Sequence, residues 1–274
     1  MASFGQIIFG TMVVLIIVFA GLIILILTIG FSASQGTVES SSPSIVGNLG
    51  QDEVIDCRFN TESSSGLTED VSISWLKDGL SGVVYEYKNK AAQLQMQNTQ
   101  FKERAQLFPD VISTGNASLL LRSVKLEDDG VYRCSVTAGK LSGTTSINLR
   151  VAGFTAPTFT QQTNTSLTAE AQRWFPQPEV TWLSQSGELL NSSSQFSNNS
   201  AGITLVVSVL EFPVKVDDTY TCIIENSLVK AVSEATVTGN EVTGKTYFIL
   251  NAASTTVLSL QLLFVVILIN FFLK

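Results

Sequence analysis

Apolar residues follow two patterns along this chain of 274 residues. Nearly continuous apolar runs occupy residues 7–29 and 257–273, one toward each end. Between them, short segments rich in β-branched and aromatic residues are separated by clusters of Gly, Asn, Ser and Asp, which is the pattern of strands and turns. None of the internal segments shows the period of a helix. The pattern therefore predicts an all-β region between two apolar segments.

Two of the internal segments alternate with a period of two, as strands with one buried face do. Residues 54–59 carry Cys57 at an apolar position of the alternation, and residues 131–136 carry Cys134 in the same way. Both cysteines are therefore predicted to point into the core. Further strands are predicted over residues 71–76, 83–87, 117–121 and 146–151.

The residues before Cys134 form the most specific motif of the chain. Asp128, Gly130, Tyr132 and Cys134 make a D-x-G-x-Y-x-C run that ends 77 residues after Cys57. In an immunoglobulin variable-type domain, cysteines on strands B and F link the two sheets, and a tyrosine two residues before the second cysteine closes the corner between strands E and F. We therefore predict a variable-type domain with a disulfide between Cys57 and Cys134.

Two further residues fit the variable-type layout. Trp75 lies between the two cysteines, where strand C places a tryptophan against the disulfide. Arg104 precedes Asp128 by 24 residues, the offset at which a salt bridge closes the bottom of such a sandwich. Trp75, Arg104, Asp128 and Tyr132 are accordingly predicted to be structural residues.

A second unit begins near Ala152 and repeats the order of tryptophan, tyrosine and cysteine at a shorter spacing. Trp182 is followed by Tyr220 and Cys222, as expected of a constant-type domain with fewer strands. Ala169 stands where strand B would supply the partner cysteine, so we expect Cys222 to be a buried thiol, with an intermolecular bridge as the alternative. Without that bridge the domain must rely on its apolar core. Its predicted members are Val180, Trp182, Leu205, Val207 and Val209.

The N-terminal apolar run favours a signal peptide over residues 1–34, followed by an extracellular protein. Because the run is long and lacks a basic start, an uncleaved membrane segment is the alternative. The rest of the chain is divided into a variable-type domain (residues 35–151), a constant-type domain (residues 152–240), a stalk (residues 241–253) and a transmembrane segment (residues 254–273).

The second apolar run favours a single membrane span. Residues 257–273 make a helix of about 26 Å, and residues 254–256 bring it close to the roughly 30 Å of a hydrocarbon core. Lys274 on the inner side fits an orientation with the domains outside. We expect a type I single-pass protein of the plasma membrane that faces the extracellular space, with a lipid-anchored or secreted protein as the alternative.

The segment that leads to Trp182 carries a family resemblance. Residues 173–178 read RWFPQP, and this run resembles the T-cell co-signalling ligands and butyrophilins of the immunoglobulin superfamily, which pair a membrane-distal variable domain with a membrane-proximal constant domain. Ala169 departs from the second disulfide of that family. Other segments similar to the family are residues 75–77 with Gly79, residues 115–119 and residues 207–210.

The resemblance implies a cell-surface ligand that restrains T-cell activation by binding an unidentified receptor on T cells in trans. It also implies that the partner contacts the sheet formed by strands C, C′, F and G of the variable-type domain. At the matching positions the expected contact residues are Leu76, Tyr85, Tyr87 and Arg133, since aromatic and arginine side chains are enriched at binding hot spots. A homophilic adhesion protein and a secreted decoy are the alternatives.

Four N-x-S/T sequons support an extracellular location. Asn116 lies in the first domain, whereas Asn164, Asn191 and Asn198 lie in the second. We expect all four to be candidate glycosylation sites.

The composition argues against catalysis. The chain has no histidine, which removes the commonest general base and metal ligand, and it has no glycine-rich phosphate loop or cysteine cluster. Paired carboxylates at residues 69–70, 128–129 and 217–218 fall in predicted turns, where aspartate is favoured for local geometry. A net charge of −7 without a basic run disfavours binding to nucleic acid. We expect no enzymatic activity, cofactor, metal or small-molecule substrate.

Overall fold

The computed structural model describes residues 4–32, 38–60, 71–139, 141–163, 166–239 and 241–252. The N-terminal segment forms helix α1, Phe4–Ser32. Its side chains are described only at positions 5, 9 and 11–23. Among the described residues, no helix is long and apolar enough to cross a membrane. The predicted transmembrane segment, residues 254–273, lies outside the described residues.

The first domain, residues 38–152, is a sandwich of short strands. The strands are β1 (Val38–Glu39), β2 (Ser44–Asn48), β3 (Glu53–Ile55), β4 (Arg58–Phe59), β5 (Val71–Lys77), β6 (Tyr85–Lys88), β7 (Ala91–Ala92), β8 (Ala105–Gln106), β9 (Leu119–Leu121), β10 (Gly130–Ala138) and β11 (Leu141–Ala152). The largest sheet has six strands in the order β2-β11-β10-β5-β6-β7, with β2 parallel to β11 and the other pairs antiparallel. Opposite it lie a three-stranded sheet, β3-β9-β8, and a two-stranded sheet, β1-β4. A short helix, α2 (Pro109–Ile112), and two 3-10 turns (Thr99–Phe101 and Leu126–Asp128) connect them.

The centre of the first domain is the predicted disulfide. Cys57 and Cys134 are joined, with an S–S distance of 2.04 Å, and both are buried. Trp75 lies opposite Cys134 in the pairing of β5 with β10, and its indole Nε1 donates a hydrogen bond to the carbonyl oxygen of Ala117 at 2.9 Å. The inward phase that the alternation predicted for strands B and F is confirmed.

The corner before β10 is held by the predicted salt bridge. The guanidinium of Arg104 donates from Nη1 and Nη2 to the two carboxylate oxygens of Asp128, each at 2.8 Å. The hydroxyl of Tyr132 donates to the backbone carbonyl of Asp128 at 2.9 Å. Burial raises the pKa of the Asp128 carboxyl, but hydrogen bonds from Arg104, Gln100 and the backbone N–H of Lys125 outweigh burial and hold that pKa below its ordinary value.

The second domain, residues 153–252, is a sandwich of two sheets. The strands are β12 (Thr158–Thr163), β13 (Ser166–Trp174), β14 (Glu179–Leu183), β15 (Leu189–Leu190), β16 (Ser192–Asn198), β17 (Thr204–Leu210), β18 (Thr219–Glu225), β19 (Val229–Thr238) and β20 (Glu241–Leu250). One sheet has four strands in the order β12-β13-β17-β16, and the other has five in the order β15-β14-β18-β19-β20. All of these pairs are antiparallel.

Cys222 is a free thiol in the core of the second domain, as expected. It lies opposite Trp182 in the pairing of β14 with β18, and Ala169 is buried in the same cluster. Burial raises the pKa of the Cys222 thiol to about 12. The indole Nε1 of Trp182 donates to Ser208 Oγ at 2.9 Å, and the hydroxyl of Tyr220 accepts a hydrogen bond from the backbone N–H of Lys215 at 3.0 Å.

The core predicted for β17 is wrong in phase. Val206, Ser208 and Leu210 are buried, whereas the predicted positions, 205, 207 and 209, lie only half-buried on the other face. Every residue of this strand from Leu205 to Leu210 is apolar except Ser208, so apolarity alone does not distinguish its faces. Ser208 faces inward because it supplies the hydrogen-bond acceptor for Trp182.

The stalk predicted over residues 241–253 is wrong for most of its length. Residues Glu241–Leu250 form strand β20, which pairs with β19 over all ten positions. Thr238 is the partner of Glu241, so only Gly239 and Asn240 separate the strands. Gly239 has a φ of +65°, which glycine adopts without a side-chain clash. The chain therefore turns back along the second domain where the sequence analysis expected it to leave.

The two domains contact each other where β11 ends. Asn48 and Phe154 exchange two hydrogen bonds between the Asn48 amide group and the Phe154 backbone, at 3.1 and 3.2 Å. Val46 of the first domain is buried in the apolar cluster of the second. We call Val46, Asn48 and Phe154, with their neighbours, the interdomain junction.

Candidate functional site

The outward side of the six-stranded sheet is the candidate binding surface, and we call it the front face. Strands β5, β6, β10 and β11 correspond to strands C, C′, F and G of the variable-type layout. Because alternate residues of a strand point to opposite sides, the residues between the buried positions face outward. The outward residues are Ser72, Ser74 and Leu76 on β5, Glu86 and Lys88 on β6, Arg133, Ser135 and Thr137 on β10, and Thr144 and Ser146 on β11.

Two of the four predicted contact residues lie side by side on the front face. Arg133 on β10 is the partner of Leu76 on β5, and the side chain of Leu76 is 38 % exposed. Two nitrogens of the Arg133 guanidinium contact the two carboxylate oxygens of Asp78, each at 2.9 Å. This bidentate ion pair is solvent-exposed, so it orients Arg133 more than it stabilises the fold.

The other two predicted contact residues do not lie on the front face. Tyr85 is the partner of Trp75 and is only 9 % exposed, and Tyr87 is the partner of Ile73 and packs half-buried against the same core. Residues two apart in a strand share a face, so both tyrosines follow the inward phase of β5. Burial, and then the neighbouring Tyr87, raise the pKa of the Tyr85 hydroxyl. The expectation that Tyr85 contacts a partner is therefore wrong.

Glu86 takes the outward position of β6 between the two tyrosines. It lies opposite Ser74, while Lys88 continues the same phase at the end of the strand. Neither residue is among the four predicted contacts, because that prediction rests on aromatic and arginine side chains. The period-two alternation, applied from Trp75 across to Tyr85, would have identified them.

Hydroxyl groups cover much of the front face. Ser135 Oγ and Thr144 Oγ1 are hydrogen-bonded at 2.9 Å across β10 and β11. A cleft of about 340 Å³ opens near the β6–β7 turn, lined by Val71, Ser72, Lys88, Asn89 and Thr137. The front face thus combines one exposed leucine, an ion-paired arginine and many small hydrogen-bonding groups, which suits a polar protein interface with a small apolar centre.

The sequons differ in their surroundings. Asn116 is half-buried, and its Oδ1 accepts a hydrogen bond from the backbone N–H of Ser118. Asn191 and Asn198 are exposed, just before and at the end of edge strand β16. Asn164 lies outside the described residues. None of the three described asparagines lies on the front face.

The two carboxylate pairs among the described residues, 128–129 and 217–218, lie in local turn structure, whereas the pair at residues 69–70 lies outside the described residues. Asp128 is bound by Arg104, and Asp129 Oδ2 accepts a hydrogen bond from the backbone N–H of Val151 at 2.9 Å. Asp217 has a φ of +67°, which places it in a turn. Among the described residues, no group of three or more potential ligands could hold a metal ion.

Comparison with known proteins agrees with the two-domain fold. Residues 40–152 match the family described as the immunoglobulin V-set domain, and residues 157–234 match the butyrophilin subfamily 3 member A2-like Ig-C domain. V-set domain-containing T-cell activation inhibitor 1 of Homo sapiens is 37 % identical over 250 residues, which cover 88 % of this chain and 87 % of that protein.

The chain belongs to the family of T-cell co-signalling ligands and butyrophilins.

Other members of this family show the same relation. V-set domain containing T-cell activation inhibitor 1 of Mus musculus is 38 % identical over 250 residues, covering 88 % of this chain and 87 % of the mouse protein. Among solved structures, the human B7-H4 IgV-like domain is 33 % identical and covers 42 % of this chain and 96 % of its own, with a TM-score of 0.39. The predicted resemblance to the co-signalling family is confirmed.

Proposed function

We propose that this protein is a cell-surface ligand that lowers T-cell activation by binding a receptor on T cells in trans. The observation that carries the proposal is the identity of 37 to 38 % with proteins named T-cell activation inhibitors, over 88 % of the chain and therefore across both domains. The immunoglobulin domains of such proteins are binding modules, and the absence of histidine from the whole sequence gives no support to a catalytic alternative.

The front face of the first domain is the proposed binding surface. Leu76 and Arg133 are its proposed centre, because an exposed apolar side chain next to an arginine held by Asp78 gives both contact area and a fixed hydrogen-bonding direction. Glu86 and Lys88 replace the tyrosines as the contributors from β6. Tyr85 and Tyr87 support this surface from below by packing on the core.

Residues 1–34 are proposed to direct secretion, and residues 254–273 are proposed to anchor the protein in the plasma membrane. The apolar run beyond residue 253 is long enough for a span of about 30 Å. Exposed Asn191 and Asn198 are accessible for glycosylation, which fits an extracellular position of the second domain.

The proposal is tested by displaying the full chain on cells that lack related ligands. These cells are cultured with activated T cells, and T-cell binding and proliferation are recorded. Reduced proliferation together with binding is expected. Binding to cells that carry the same protein, without binding to T cells, would instead identify a homophilic adhesion protein. Activity only in the culture supernatant would identify a secreted protein.

A further inference from the structure

The RWFPQP run that carries the family resemblance begins in the last two residues of β13. The register between β13 and β17 shifts at this point, so that Gln172 and Arg173 both lie opposite Leu205. Two residues opposite one make a β-bulge, which bends a strand and redirects its side chains. We call residues 172–176 the bulge segment.

Arg173 adopts a left-handed backbone conformation, with a φ of +58°. Glycine occupies this region without strain, whereas a residue with a side chain is disfavoured there, which points to a role for the arginine side chain itself. Its Nη1 nitrogen lies 3.6 Å from the position that a Cβ of Gly50 would occupy. Gly50 belongs to the turn between β2 and β3, and the acidic residues Asp52 and Glu53 follow it. A cation of the second domain thus lies against a turn of the first domain.

The bulge segment is also hydrogen-bonded to the chain that connects the two domains. Gly153 is the first residue after β11, and its N–H and carbonyl group exchange two hydrogen bonds with the backbone of Phe175, each at 2.9 Å. A Cβ at position 153 would lie 2.7 Å from the carbonyl oxygen of Arg173, so only glycine permits this close approach. The hydroxyl of Thr155 donates to the carbonyl oxygen of Gln172. The connection is therefore held to the end of β13.

The bulge segment is fixed to the body of the second domain as well. Trp174 is fully buried in the apolar cluster that also contains Val46 of the first domain. The carbonyl oxygen of Pro176 accepts a hydrogen bond from Asn226 Nδ2 at 2.8 Å. Arg173 thus projects from a backbone whose next residues are anchored in the core.

The turn that contacts Arg173 is held from its own side of the junction. The backbone N–H of Leu49 donates to the carbonyl oxygen of Ala152 at 2.8 Å, and the Asn48 amide group is hydrogen-bonded to the backbone of Phe154. Contacts from both domains therefore converge on the end of β11 and the residues that follow it.

We propose that the bulge segment fixes the angle between the two domains, with Arg173 as the positioning residue that holds the turn at Gly50. Domains joined only by a linker move relative to each other. Here the linker is paired with Phe175, and Val46 of the first domain is buried in the second. The consequence rests on the proposed function: a fixed angle sets the direction in which the front face meets a receptor on another cell.

The spread of distances between the two domains tests the proposal. In the full chain, spin labels are attached at Lys102→Cys in the first domain and Gln195→Cys in the second; both positions are exposed, and the free thiol of Cys222 is buried. Electron–electron double resonance should give one narrow distance distribution when the junction is unaltered. Arg173→Gly should give a broader one.

The glycine variant separates positioning from stabilisation. Glycine relieves the strain at a φ of +58°, so the unfolding temperature of the second domain should not fall in Arg173→Gly. Gln172→Ala is the matched control, because Gln172 is exposed in the same bulge and alanine keeps its carbonyl bond to Thr155. Its distribution should stay narrow. Gly153→Val places a side chain against the Arg173 carbonyl and should broaden the distribution further. A narrow distribution for Arg173→Gly, or a broad one for the unaltered junction, would overturn the proposal.

T-cell binding distinguishes this proposal from the proposed function. At equal surface expression, cells that display Arg173→Gly should bind activated T cells severalfold more weakly than cells with the unaltered chain, because a mobile first domain loses more freedom on binding. A broader distribution for Arg173→Gly, with no T-cell binding by the unaltered chain, would contradict the ligand function and leave the positioning role standing. A narrow distribution with normal binding would overturn the positioning role alone.

Discussion

Single residues of the first domain could be predicted best where a motif fixes their spacing. Cys57, Cys134, Trp75 and Tyr132 occupy the positions that the D-x-G-x-Y-x-C run and the preceding tryptophan predicted. Each of these residues has a geometric role that few other residue types can fill. Residue type and spacing together therefore predict its position in the fold. Tyr85 was mistaken for a contact residue because an aromatic side chain suits a core as well as an interface.

The Arg104 and Asp128 pair gives a prediction at this scale. Asp128 is buried and Arg104 nearly so, hence Arg104→Ala leaves an uncompensated carboxylate and should lower the free energy of unfolding by about 3 to 5 kcal/mol at pH 7. Because the folded pKa of Asp128 is lowered, its contribution to stability is complete above its unfolded pKa and is lost as the pH falls through the folded value. Denaturant unfolding at pH 7 and pH 3 checks both points.

The matched control is Arg122→Ala. Its guanidinium is exposed and, within the described part of the chain, bonds only Gln106 Oε1, at 3.2 Å, so a change below about 0.5 kcal/mol is expected. Equal destabilisation by both substitutions would show that the buried salt bridge has no special role. A stability difference between wild type and Arg104→Ala that does not shrink in acid would contradict the assignment to Asp128.

Position 169 gives a second prediction. If Ala169 faces Cys222 across the two sheets, Ala169→Cys should form a disulfide and stabilise the second domain by about 2 to 4 kcal/mol. Non-reducing peptide mapping detects the bond, and thermal unfolding measures its effect. Ala171→Cys, buried in the same strand and cluster, is the control. A free thiol at 169, or a bridge from 171 instead, would show that the strand B position was misassigned.

At the scale of elements, the strands were easier to predict than their faces. Strand β10 alternates cleanly between buried apolar and exposed polar residues, so its phase followed directly. Strand β17 is apolar on both faces, and its phase depends on Ser208, whose hydrogen bond to Trp182 only the folded structure reveals. Strand β6 was placed correctly, but its inward face was taken for the outward one.

Strand β20 and its pairing with β19 were not predicted from the sequence. Gly239 and Asn240 are a two-residue hairpin signal between two segments of strand character, at the point where a stalk is predicted to start. The stalk prediction rests on the position of this segment next to the apolar run of residues 257–273, and it gives less weight to the hairpin signal. A return strand can be recognised only when its pairing with the preceding strand is considered.

Hydrogen exchange gives the prediction for this element. Backbone amides of Glu241–Leu250 that face β19 should be protected in the full chain, whereas a stalk would exchange freely. Gly239→Val should reduce that protection, because a β-branched residue at a φ of +65° is strained although the site has open space. Gly187→Val, in an exposed turn of the same domain with a φ of +84°, is the control and should leave β20 protected. Free exchange over residues 241–250 in the unaltered chain would contradict the pairing.

At the scale of the whole molecule, two domains in fixed order followed from two motif spacings. The contact between the two domains could not be predicted from the sequence. Val46, Asn48 and Phe154 carry no motif, and they meet only when both sandwiches are folded. The front face could be located from the family resemblance, and the structure then refined its composition to Leu76, Arg133 and a hydroxyl-rich surround. The proposed binding centre therefore consists of side chains that lie outside the core.

The binding of activated T cells to cells that display the full chain tests the central claim most directly. Leu76→Ala and Arg133→Ala should each weaken binding by about 1 to 3 kcal/mol at equal surface expression, because both side chains are exposed at the proposed centre. Arg122→Ala, outside the six-stranded sheet, should bind as the unaltered protein does. If both front-face variants keep full binding while Arg122→Ala abolishes it, the front face of the first domain is not the ligand surface and the account is contradicted.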